Sequence, residues 1–152
     1  MDPGVRNFAG VTSFLLWGGT FMNTNAQKGR IECADYLVHE VTHGLLFALS
    51  ASAPLVLNHL EERYPSPLRQ DPRPMDGIYH ATLVCGRLLV FYKRALESTL
   101  LADEERDLVL AKRPTVEASF RDGLKTVQEF GKLSDLGASY LHEVSSAVQN
   151  ES

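Results

Sequence analysis

A chain of 152 residues, 44% apolar and 22% charged, has the size and composition of one globular domain with its own core. A formal net charge of −4 gives no general attraction to nucleic acid or anionic membranes, and no apolar run is long enough to cross a bilayer. The apolar stretch from Phe14 to Phe21 is short, contains Gly18-Gly19 and lacks a basic segment before it. It is a poor secretory signal, so the expected location is cytoplasmic.

From Val11 to Thr24, β-branched and aromatic residues flank the glycine pair, which predicts a hairpin or one bent strand. Asn23-Thr24-Asn25 then offers helix-capping side chains. From about Lys28 to Ser52, Ile31, Ala34, Leu37, Val38, Val41, Leu45 and Leu49 recur at helical spacing and predict one broad buried face. Pro65, Pro67, Pro72 and Pro74 follow; each lacks an N–H and restricts its predecessor, so helix and central strand are forbidden and a stiff loop is expected. Nearly continuous apolar content from Asp76 to Glu97 predicts a central helix. A third helical segment, Glu104 to Lys112, is expected to stop before Pro114, with amphipathic helices from Val116 to Phe130 and from Asp135 to Val148. Phe120, Leu124, Val127 and Phe130 share a face expected to be core or the contact of a homodimer. Cys33 and Cys85 each fall in an apolar helical pattern and are expected to be buried free thiols; without a Cys-x-x-Cys pair, zinc ribbons and thioredoxin-type chemistry drop out. The fold class expected is mainly α: a single-domain helical protein with a short β-hairpin before the helix of residues 28–52.

That helix carries His39-Glu40-Val41-Thr42-His43. Residues four apart stand one above the other on a helix, so both imidazoles can reach one divalent metal ion. Glu40, beside the first histidine, is placed as it is in zinc hydrolases, where that carboxylate takes a proton from metal-bound water. A third ligand must come from elsewhere. The metzincin pattern needs glycine and histidine at positions 46 and 49, and both are leucine. Glu61, Glu62 and Glu97 are available carboxylates, but Glu61-Glu62-Arg63 reads as a solvated turn. His80, near the start of an otherwise apolar helix, is the better candidate. Asp35, one turn before His39, either orients that imidazole or is a solvated first-turn carboxylate. His59 and His142 sit among charged neighbours and read as surface residues.

Leu37 to His43, Tyr64-Pro65-Ser66-Pro67, Asp71-Pro72-Arg73-Pro74-Met75 and Gly77-Ile78-Tyr79-His80 together resemble the HExxH-motif family associated with ribosomal peptide natural products. Its members are described as 2-oxoglutarate-dependent peptide β-hydroxylases, and the resemblance spans roughly residues 9 to 97. It implies non-haem Fe(II) held by His39, His43 and His80, with 2-oxoglutarate as co-substrate and a precursor peptide as substrate. The product would carry a hydroxyl on the β-carbon of a side chain. Arg73 then becomes the expected partner of the 2-oxoglutarate carboxylate, since a guanidinium pairs with it bidentately and a stiff proline loop would hold it steady; Arg69 and Arg87 are the reserves. The alternative expectation is a zinc hydrolase, a peptidase with Glu40 as general base.

Overall fold

The computed structural model describes residues 10–12, 19–22, 29–66 and 69–150. In chain order they form β1 (Gly10–Thr12), β2 (Thr20–Met22), α1 (Arg30–Ser50), β3 (Tyr64–Ser66), β4 (Arg69–Arg73), α2 (Met75–Glu97), α3 (Asp103–Phe130) and α4 (Asp135–Asn150). The fold is mainly α, as expected. β1 and β2 pair antiparallel, Gly10 opposite Met22 and Thr12 opposite Thr20, and both strands lie against α1. The expected turn at Gly18 and the capping residues 23–25 lie outside the described residues. Among the described residues no helix is long and apolar enough to cross a membrane.

α2 is the axis of the molecule. Pro74 presets its entry, Asp76 and Arg94 complement its dipole at the two ends, and its residues are buried along most of its length against α1, α3 and α4. Its first half joins Leu46, Leu55, Val127, Leu141 and Val144 around Met75, Ile78, Tyr79 and Leu83. Its second half joins Ile31, Val109 and Phe120 around Val84, Leu88, Leu89 and Tyr92. Between the two clusters Gly86 sets the helix spacing: a Cβ there would stand 2.5 Å from Val144 Cγ1 and 2.9 Å from Phe120 Cε2. The buried Tyr79 hydroxyl donates to the Gly137 carbonyl at 2.8 Å, and burial pushes its pKa up to about 12.

Three expectations are corrected. Helix α3 does not stop at Pro114; it runs unbroken through it. A proline inside a helix costs about 3 kcal/mol, but Val109 before it and Ser119 and Phe120 after it are all buried, and tertiary packing of both halves outweighs that cost. The proline-rich segment is not only a loop. Its ends pair as the antiparallel strands β3 and β4, Tyr64 opposite Arg73 and Ser66 opposite Arg69, with a register irregularity between the two pairs. The prolines confine this pairing to two edge strands, where a missing N–H faces away from a ladder.

The third correction concerns α1. Leu37 and Val41, expected to be buried, are 49% and 45% exposed, whereas Ile31, Glu40, Thr42 and Leu46 are buried. At 3.6 residues per turn, the inward face is turned about a quarter of the circumference from the most apolar one. It contains Ile31, Asp35, His39, Thr42, His43 and Leu46. Polar contacts on that face hold the helix in place. Asp35 accepts a hydrogen bond from Tyr92 of α2 at 2.6 Å and pairs with Lys112 of α3. At the start of α1, Arg30 reaches both carboxylate oxygens of Glu105, at 3.0 and 2.6 Å, and Glu105 also accepts from the Ala102 N–H at the head of α3. Thr42 returns its hydroxyl to the Val38 carbonyl.

Candidate functional site

The inward turn of α1 brings its histidines to α2. The rings of His39 and His43 lie 5.0 Å apart, centroid to centroid, and His43 lies 5.7 Å from His80. Phe47, one turn beyond His43, stands 5.6 Å from His80 and walls the cluster on that side. His80 is buried, with Nε2 3.9 Å from Asp76 Oδ1 one turn earlier on α2. Burial, reinforced by the neighbouring His39 and His80, lowers the pKa of His43 to about 4. Burial lowers His80 as well, opposed by Asp76. Both imidazoles are therefore neutral near pH 7, the state in which a ring nitrogen offers a lone pair to a metal.

Three imidazoles bound about 2 Å from one ion hold their ring centroids about 5 Å apart, close to the separations of His43 from His39 and from His80. Ring orientation is different: His43 and His80 lie 30° from parallel, stacked face to face. Among the described residues no group of three His, Cys, Asp or Glu side chains is arranged to hold a metal ion. Donor type, charge state and spacing fit an ion; convergence requires the rings to turn about their side-chain torsions.

His39 and His43 also line a cavity of about 420 Å³ between α1, α2, α3 and the β3–β4 hairpin. Arg73 of β4 lines the same cavity and is the one charged residue among its described lining. Its Nε lies 3.0 Å from Asp71 Oδ2, an ion-pair contact, yet the N–H is not aimed at that oxygen and the buried Nε makes no hydrogen bond. The hairpin thus brings Arg73 to the cavity that the histidine pair lines. Ala81, Val84 and Leu88 of α2 and Val116 of α3 supply an apolar wall. Cys85 is also in it, its thiol kept neutral because burial pushes the pKa up to about 11. His80 packs behind His43 and is not among the lining residues.

The other expected residues fall as follows. Glu40 is buried on α1 but does not line the cavity. Asp35 neither orients His39 nor is solvated; it belongs to Tyr92 and Lys112. Burial, followed by the bond to Asp35, raises the Tyr92 phenol well above its ordinary range. Asp35, Tyr92 and Lys112 each stand one turn beyond a wall residue (His39, Leu88 and Val116), so this cluster adjoins one end of the cavity. Glu62 accepts from Tyr64 and Asn58, and Glu97 ends α2 about 25 Å along the helix from His80. Arg87 donates to Tyr140 at 2.9 Å, in a groove towards α4, while the side chain of Arg69 lies outside the described residues. His59 and His142 are exposed as expected; Cys33 is only half-buried.

Sequence reasoning missed Asp76, Ser66 and the α3 wall of Thr115, Val116 and Ser119. Asp76 had a signal, its place one turn before His80. The α3 residues did not, because a helix broken at Pro114 gives no reason to carry Val116 to the histidines. No protein-family model matches the chain, and no curated protein matches it in sequence.

Proposed function

We propose that the chain is a non-haem Fe(II)- and 2-oxoglutarate-dependent oxygenase that hydroxylates the β-carbon of a side chain in a peptide. The observation that carries this reading is the shared cavity: a histidine pair and a guanidinium with an unused buried N–H line the same space. His39, His43 and His80 would hold the iron. Bound Fe(II) would supply the coupling of O2 reduction to decarboxylation of 2-oxoglutarate, giving succinate, CO2 and one oxygen atom for the substrate C–H bond.

The protein's own contribution is binding and orientation. Arg73 offers a fork to the far carboxylate of the co-substrate, and its preorganisation on β4 lowers the cost of ordering it. Neutral His43 and His80 need lose no proton before ligating. The hydrocarbon of Ala81, Val84, Leu88 and Val116 lowers the polarity of the space beside the histidines.

The test is an anaerobic titration with Fe(II), with and without 2-oxoglutarate, following visible absorbance and metal content. A charge-transfer band that needs both reagents is expected. Arg73→Ala should weaken the 2-oxoglutarate dependence and His39→Ala should abolish iron loading. One tightly held zinc per chain and no band would overturn the reading in favour of a zinc hydrolase, with Glu40 as its base.

A further inference from the structure

The cavity has more to say about what enters it. At about 420 Å³ it sits near the small end of the range for ligand pockets, about 300–1,000 Å³, which suits a small co-substrate and one side chain rather than a bulky group. Its two ends differ. Near Arg73 the α2 wall is Gly77 and Ala81, and a Cβ added to Gly77 would meet nothing within 4 Å. One to three turns further along, the wall is Val84, Cys85 and Leu88 with Thr115, Val116 and Ser119 from α3, so hydrocarbon dominates there beside two hydroxyls and a neutral thiol, and no lining residue of that end is charged. Arg73 is the only charged residue among the described lining, so a carboxylate bound there leaves no second counter-charge. Lys112 and Asp35, one turn beyond Val116 and His39, are already paired with each other, so an acidic side chain would find no free counter-charge and a basic one would share the cavity with Arg73; either costs more than burying a hydrocarbon.

Resting on the reading of this cavity as the substrate site, we infer that the side chain it takes is aliphatic and uncharged, and that Val84, Leu88 and Val116 select it. The open end at Gly77 and Ala81 holds the carboxylate-bearing co-substrate beside Arg73. The end at Val84, Leu88 and Val116 receives the substrate side chain.

Binding can be read without turnover. Metal-free protein, with methyl-labelled Val and Leu, is titrated by NMR with N-acetyl, C-methylamide derivatives of Leu, Val, Ala, Glu and Lys in the presence of 2-oxoglutarate. The Leu and Val probes should bind about tenfold or more tighter than the Glu and Lys probes and move the methyl signals of Val84, Leu88 and Val116. Val116→Phe, which fills that end from a half-buried position, should weaken the Leu probe and leave the Ala probe unchanged. Leu88→Ala serves as a second variant and should lower the Leu-over-Ala preference by enlarging the same end. A charged probe binding as well as Leu, unmoved methyl signals, no binding by any probe, or a Leu-over-Ala ratio unchanged in both variants would overturn the inference. Failure of the iron and 2-oxoglutarate band with retained aliphatic selection would instead remove the oxygenase reading alone.

Discussion

Helices α1 and α2 are of similar length, 21 and 23 residues, and each brings a candidate ligand to the same cluster, yet they are held in place by different means. Most of α2 is buried, so hydrocarbon contact fixes it from several sides. α1 buries Ile31 and Leu46 alongside Glu40 and Thr42, leaves Leu37 and Val41 in solvent, and is tied down by Asp35 and Arg30. The comparison separates a scaffold from a part mounted on it. A helix that turns histidines inward while part of its most apolar stripe stays half-exposed gives up hydrocarbon burial, a trade that fits the proposed site.

The largest expected effect breaks the scaffold. Gly86→Val places carbon where Val144 and Phe120 already stand at 2.5 and 2.9 Å, and neither α3 nor α4 can retreat without opening the core. Overpacking of this kind should cost about 3 kcal/mol, read as a lower urea midpoint.

The next effect belongs to α1 and depends on pH. In the unfolded chain His43 takes a proton as pH falls through about 6.5; in the folded protein it resists until about 4. The unfolded state therefore binds more protons across that window. Stability contributed by neutral His43 is complete above pH 6.5, falls with acidification, and is lost by about pH 4. For a partly exposed ring the loss is roughly 2 kcal/mol. Melts of metal-free protein at pH 7 and 4.5 should show it, and His43→Gln should flatten the dependence. An equal pH dependence in that variant would assign the acid loss to other groups.

How much of this was legible in the sequence divides along the same line. α2 could be read because an apolar helix buried on most sides has no face to mistake. His39 and His43 could be singled out by their spacing on one helix and His80 by its place at the start of an apolar helix, whereas Arg73 came forward only through the family resemblance. The inward face of α1 could not, since a periodicity argument ranks faces by hydrocarbon and the ties of this helix are a carboxylate and a guanidinium whose partners lie 57 to 77 residues away. The α3 wall was hidden by Pro114, a local breaker overruled by packing that no local rule contains. The β3–β4 pair was hidden for the same reason: four prolines argue against strand until an edge position makes them harmless.

Lys112→Met sharpens the contrast further. It removes one partner of a part-buried carboxylate while keeping the length of the side chain, and leaves Asp35 with Tyr92 alone. A loss of about 1–2 kcal/mol is expected, with Tyr92→Phe costing about 1. The two variants share Asp35, so their effects should not add; a double mutant equal to the sum would deny that the cluster acts as a unit.

Two smaller changes compare faces directly. Gly77→Ala lies on α2 like Gly86, but its new methyl meets open cavity and not core. It should stabilise the protein by about 0.5–1 kcal/mol through helix propensity, raising the melting temperature while Gly86→Val lowers it.

Leu37→Lys tests the turn of α1 itself. Were the most apolar stripe the buried one, a lysine at position 37 would force a charge into the core and cost several kcal/mol. With Leu37 49% exposed, the change removes a half-solvated hydrocarbon from a surface and should stay within about 0.5 kcal/mol. The same substitution at Leu46, fully buried one turn past Thr42 on the inward face, should unfold the protein. Equal tolerance at the two positions would mean that α1 does not turn the histidine face inward, and the shared cavity would lose His39 and His43 from its lining.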